Sequence, residues 1–190
     1  MLKIITILAI AWALAGCATL SNLNKDYSLA RKSTKSVVII GVKPDDRFGV
    51  EEGTLVHDQY KWDAKATPVL AVYPVDGYVV AVMDETDSDQ IYALTNIMES
   101  IHHYRACGSK PVETFTIEPG KIIYLGDFEF ATPPVGFKHT ITYDPDSAEK
   151  FIRQNYPNLK GVPFVTQHTV QRVEIGFWQT ELQGMVSNCD

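Results

Sequence analysis

Apolar residues along this chain come in short runs, separated by Pro, Gly and acidic residues. Ser36 to Val42 (SVVIIGV) is rich in β-branched side chains. Val69 to Val75 (VLAVYPV) and Gly77 to Met83 (GYVVAVM) are almost continuously apolar, separated by little more than Asp76-Gly77. Runs of this kind read as inner strands covered on both faces. Gln90 to Ile97 is another strand, and Val112 to Ile117 (VETFTI) alternates. Glu118-Pro119-Gly120-Lys121 then fits a type II turn, with Pro presetting φ and Gly supplying the positive φ, so a hairpin is expected there. Lys121 to Phe130 follows, with Gly126 as a bulge or bend, and Lys138 to Tyr143 and Val170 to Ile175 complete about eight strands.

One segment is helical by the same test. Asp144 suits an N-cap, Pro145 the first helical position, and Asp146 places negative charge in the first turn. Ala148, Phe151, Ile152 and Tyr156 then share a face, and Pro157 ends the run, giving a helix over about 145–156. Met98 to Tyr104 fits either a helix or a strand. The pattern predicts a mainly β chain: an antiparallel β-sandwich of about eight strands carrying one short helix.

Composition narrows the class. Of 190 residues, 45% are hydrophobic, as in ordinary globular chains, and 12 Gly with 10 Pro favour many short elements. Lys and Arg number 17 against 23 Asp and Glu, a net charge of −6. A nucleic-acid binder shows the opposite balance, so no nucleic-acid partner is expected. Residues 18–35 carry Lys25, Arg31, Lys32 and Lys35 against Asp26 alone, so the acidity belongs to the remainder.

The first residues point to a compartment. Met1-Leu2-Lys3 precedes an uncharged apolar run from Ile4 to Ala15. As a helix that run spans about 18 Å, short of a hydrocarbon core of about 30 Å, so it reads as a signal peptide rather than a membrane span. Leu14-Ala15-Gly16-Cys17 resembles the lipobox of bacterial lipoproteins. That resemblance implies removal of residues 1–16, acylation of Cys17, a polar tether over 17–35 and a β-sandwich domain over 36–190. Ala18, in place of Asp, implies release to the outer membrane, facing the periplasm. The membrane is then the first expected partner, held through the N-terminal lipid. Setting Cys17 aside leaves Cys107 and Cys189 in an oxidising compartment, where a Cys107–Cys189 disulfide is expected and two buried thiols are the alternative.

Catalytic signatures are sparse: GxSxG, HExxH, P-loop, GxGxxG and CxxC patterns do not occur. His102 and His103 are adjacent, so a strand points them to opposite faces, and with His57, His139 and His168 scattered no metal site is expected. Asp84, Glu85, Asp87 and Asp89 form an acidic loop without the Gly and Glu of an EF-hand. Asp45-Asp46-Arg47 and Glu51-Glu52 read as solvated loop charges rather than a buried acid–base pair. Tyr60, Trp62, Tyr73, Tyr78, Tyr92 and Trp178 can stack on a ligand or fill a core, and Trp62, in the polar context QYKWDAK, is the expected exposed member and candidate ligand contact.

The stretch FTIEPGKIIYLGDFEF is similar to a strand–turn–strand unit of small envelope proteins with β-sandwich domains, through Phe115, Pro119, Gly120, Tyr124, Gly126 and Asp127. The expected function is a membrane-anchored envelope lipoprotein that binds an envelope protein or a small ligand, without enzymatic activity and without a cofactor. The alternative is a periplasmic hydrolase or metal-handling protein built on His and carboxylate side chains.

Overall fold

A computed structural model describes residues 22–30, 32–62, 69–85, 89–99, 102–105, 111–131 and 139–175. Within them the chain runs β1 (Lys35–Lys43), β2 (Arg47–Val56), β3 (Gln59–Trp62), β4 (Leu70–Val72), β5 (Tyr78–Asp84), β6 (Gln90–Glu99), β7 (His102–Arg105) and β8 (Pro111–Phe115). It continues through β9 (Ile122–Phe130), β10 (His139–Thr142), helix α1 (Pro145–Asn155), a 3-10 turn (Pro157–Leu159), β11 (Phe164–Thr166) and β12 (Val170–Ile175). The fold is mainly β, and the eight expected strands and the helix are all present.

The strands form two sheets. The smaller runs β10-β9-β1-β5, with β11 also beside β9. In the larger, β2 and β6 pair along most of their length; β4 and β3 share the other edge of β2, while β8 and β7 share that of β6. Strand β12 joins β3 to β8, so β2, β3, β12, β8 and β6 close into a five-strand ring. The all-antiparallel sandwich is therefore corrected in two ways. One sheet closes on itself, and β1–β9, β11–β9 and β12–β3 are parallel pairs. For β1–β9 and β3–β12 the connecting chain passes through the other sheet before returning, and for β9–β11 it returns through β10 and α1. The Glu118–Lys121 turn shows this: Gly120 takes its positive φ of 75°, yet β8 and β9 lie in different sheets and make no hairpin.

The layers explain the apolar runs. One face of the smaller sheet (Val38, Ile40, Val79, Ile123, Phe128) packs on Phe48, Val50, Leu70, Leu94 and Phe115 of the larger. The opposite face (Val37, Ile39, Val80, Ile122, Tyr124) packs on Ala148 and Ile152 of α1, with Tyr156 and Leu159 beyond it. Strands β1 and β9 are thus covered on both sides, and each fully buried Ile or Val there contributes about 2 kcal/mol. Two irregularities keep this pattern in phase. Gly49 pairs with Asn96 but Val50 with Leu94, leaving Thr95 as the extra residue that lets both Leu94 and Ile97 face the core. In β9, Ile39 pairs with Tyr124 but Gly41 with Asp127, and Gly126 takes φ 110° at the shift, as its sequence position led us to expect.

Helix α1 starts where the sequence places it. The Asp144 carboxylate accepts the Ser147 N–H at 3.1 Å, and Pro145 occupies the first turn. Its last turn is held by Arg153, which donates to the carbonyls of Leu159 and Val162 at 2.6 and 2.8 Å and pairs with Glu149 at 3.0 Å.

Within the span expected as a polar tether, the described residues from Asn22 onward lie against the body. Leu23, Tyr27 and Leu29 pack against the α1 side of the smaller sheet. The Leu23 N–H donates to the Val80 carbonyl at 2.8 Å, and the Val80 N–H donates to Oδ1 of Asn22 at 2.7 Å. Strand β5 is an edge of its sheet, and these bonds satisfy backbone groups that an exposed edge leaves open. Cys17, Cys107 and Cys189, together with Trp178 and Asp87, lie outside the described residues, as does residue 31.

Candidate functional site

The most concentrated polar group among the described residues is built around Glu113. Along β8, Val112 faces the interior of the ring and Phe115 faces the core between the sheets. Glu113 shares the side of Phe115, and its register partner on β12 is Gln171. It is 3% exposed. Its Oε1 accepts from Nε2 of Gln171 at 2.7 Å and stands 3.1 Å from Nε2 of His139; its Oε2 accepts from Oγ1 of Thr169 at 2.6 Å. Burial works to raise the Glu113 pKa, but the hydrogen bonds from His139, Thr169 and Gln171 outweigh it and hold the carboxyl below its ordinary value. An ionised carboxylate only accepts hydrogen bonds, so His139 presents Nε2–H to it.

His139 opens β10 opposite Phe130, with its ring 5.9 Å from Phe128 and 5.7 Å from Phe130. Beyond Thr169, the exposed His168 ring lies 4.3 Å from Tyr143. Burial raises the Tyr143 phenol, with the Glu113 charge adding to it, while a hydrogen bond with Thr169 lowers it. Chemically this is a fixed carboxylate–imidazole pair joining two sheets, with a phenol and a second imidazole at its margin. The pair can hold a proton at a defined ring nitrogen, as acid–base sites require.

A second group lines the ring itself. Glu51 pairs with Ala93, Ala93 with Thr114, and Glu174 with Tyr60, so these residues share the inward side, where all are buried. Arg172 donates to Oγ1 of Thr114 at 2.5 Å and to Oδ1 of Asp58 at 3.2 Å. Glu51 is the notable surprise. Read as a solvated loop charge, it is 6% exposed in β2, while Glu52 points to the other side, so the two carboxylates do not converge.

The remaining sequence candidates are dispersed. Trp62 ends β3 opposite Gly53 and packs on the Tyr60, Ile91, Ala93 and Val112 cluster, with its indole nitrogen shielded from solvent. It is not the exposed aromatic that its polar neighbours suggested, because alternation turns Trp62 inward with Tyr60. Tyr92 is buried as well, and Tyr78 stacks on Phe151 at 4.5 Å. Among the described candidates Tyr73 is the exposed one, at 55%, on the tip that also exposes Val75 at 47%. His57 and Asp58 take φ of 50° and 64° in the turn between β2 and β3, the conformation of a type I′ hairpin. His102 and His103 are consecutive residues of β7. Asp84 pairs with Lys35 at 3.5 Å on the surface. Among the described residues no three His, Cys, Asp or Glu side chains come together as metal ligands. No protein-family model, curated protein or solved structure matches the chain.

Proposed function

We propose that this chain is a lipid-anchored envelope protein whose β body serves as a binding module at the membrane surface. The observation that carries the reading is Leu14-Ala15-Gly16-Cys17 at the end of the apolar run that begins at Ile4, the arrangement that a lipoprotein leader requires. A processed Cys17 carrying several acyl chains stays on its membrane, since each buried methylene adds about 0.8 kcal/mol. Ala18 favours the outer membrane, facing the periplasm, and that compartment favours a Cys107–Cys189 bond. We read the stacked body as a sandwich whose second sheet has closed. The ligand is an envelope protein or a small molecule.

Incorporation of a palmitate analogue tests the anchor: label on the native chain and none on Cys17→Ser supports it, and an unlabelled native chain defeats it. A hydrolytic second reading rests on the Glu113–His139 pair alone. Hydrolysis of a generic ester or glycoside substrate that disappears in both Glu113→Gln and His139→Asn, with folding retained, favours that reading.

A further inference from the structure

We infer that the Tyr73–Val75 tip rests in the lipid headgroup layer of the membrane that carries the chain, as a second, apolar contact beside the acyl anchor. The inference rests on acylation of Cys17, and it begins with reach. Asn22 lies five residues after Cys17, and five peptide steps extend at most about 18 Å. The Asn22 side chain is bolted to the tip, because its Nδ2 donates to the Tyr73 carbonyl at 2.6 Å while its Oδ1 accepts from Val80. The end of the body that bears Tyr73 is therefore the end that the anchor holds near the bilayer.

The tip is also built to present its side chains. Val75 and Tyr78 exchange backbone hydrogen bonds at 2.8 and 3.0 Å across Asp76 and Gly77, whose φ values of 51° and 81° make a type I′ turn. The Gly77 carbonyl accepts from the Val42 N–H at 2.9 Å, which ties the turn to β1. On this braced loop Tyr73 and Val75 are exposed, although their strand neighbours Val72 and Val79 are fully buried. Tyrosine suits the headgroup level, where its ring meets acyl chains and its hydroxyl meets water. The tip's charged side chain is the exposed Asp76, so the contact is with a neutral lipid surface and does not depend on anionic lipid.

Leu55 provides the internal comparison. It too is an exposed apolar side chain, but it lies seven residues along β2 from Phe48, the partner of Val72, roughly 23 Å away.

The test uses the full acylated chain in phosphatidylcholine vesicles, with its acylation verified by mass. Tyr73→Trp and Leu55→Trp are compared in vesicles with plain and with brominated acyl chains, each read as the emission gained over the native chain. Bromine should quench the emission gained by Tyr73→Trp but not that gained by Leu55→Trp. Equal gains from Tyr73→Trp in both vesicles overturn the inference. Nitration needs no substitution at the tip. Tyr73 should react several-fold more slowly in the vesicle-held chain than in Cys17→Ser in buffer, and equal rates overturn the inference even if a tryptophan variant misfolds. A tip that only another protein covers gives those same negative results in pure lipid. A mature chain found unacylated removes the anchor itself, a failure distinct from an acylated chain whose tip stays wet.

Discussion

Glu113 and His139 belong to different sheets, yet their carboxylate oxygen and ring nitrogen stand 3.1 Å apart. Glu113 takes its remaining hydrogen bonds from Thr169 and Gln171, on the segment that leads from β11 in one sheet into β12 in the other. A single buried charge therefore ties both sheets to the crossing between them.

Acid should loosen that tie. The folded chain holds the Glu113 proton less tightly than the unfolded chain, whose glutamate titrates near 4.5. Its contribution is complete above that pH and is lost as pH falls through the lower folded value. Glu113→Gln, which removes the charge and one acceptor, should lower stability at pH 7 by about 2 kcal/mol and Tm by about 5 °C. It should also flatten the loss of stability below pH 4.5, read by urea titration at several pH values. An unchanged acid limb would contradict this.

Asp127 should behave in the opposite sense. Burial raises its pKa, with Asp144 adding to it, while the Tyr124 hydroxyl and Lys43 pull it back. A carboxyl held above its unfolded value favours the fold below the ordinary 3.8 and loses that contribution as pH rises through the folded value. Asp127→Asn should therefore leave Tm at pH 7 unchanged or higher. A fall in Tm would show that the ionised form is the preferred partner of Tyr124.

Gly41 faces the same carboxylate. A Cβ there would stand 1.9 Å from Oδ1 of Asp127, so Gly41→Ala should cost about 2 kcal/mol. Adding Asp127→Gly should recover part of that cost, because the Asp127 Cα, at 3.1 Å, still crowds the new methyl. Additive effects in the double variant would break the predicted coupling.

Arg153 should matter more than its salt bridge. Its bonds to the Leu159 and Val162 carbonyls close the turn after α1, whereas its partner Glu149 is half exposed. Arg153→Ala should cost about 1–2 kcal/mol and Glu149→Gln less than about 0.5, measured by chemical denaturation. Equal costs would assign the effect to the ion pair.

The sequence was most readable where both faces of a strand are buried, as in β1 and β5, because an interior without water tolerates no polar interruption. It was least readable in β2, where Phe48 and Val50 face the core but Gly49, Glu51 and Gly53 face the ring. There small and charged side chains imitate a loop. Gly53 is small for a spatial reason: its missing Cβ leaves room for the Tyr60 ring and the Lys61 carbonyl. Trp62 misled through its neighbours, since one inward side chain in QYKW cannot be told from an outward one over four residues. Glu113 was hidden too: it shares its side of VETFTI with Phe115 and Ile117 of the core between the sheets, and the partners that suit a carboxylate there, His139, Thr169 and Gln171, arrive only from distant segments. The resemblance of Leu14-Ala15-Gly16-Cys17 to a lipobox, by contrast, lies in consecutive residues and needs no fold to be read.

Closure of the ring by β12 sets an order of events. Its partners β3 and β8 are separated from it by long stretches of chain, and neither gains its second neighbour until residues 170–175 arrive. A chain cut before Val170 exposes two unpaired strand borders and lacks Gln171, so the ring stays open and Glu113 short of a partner until β12 has been made.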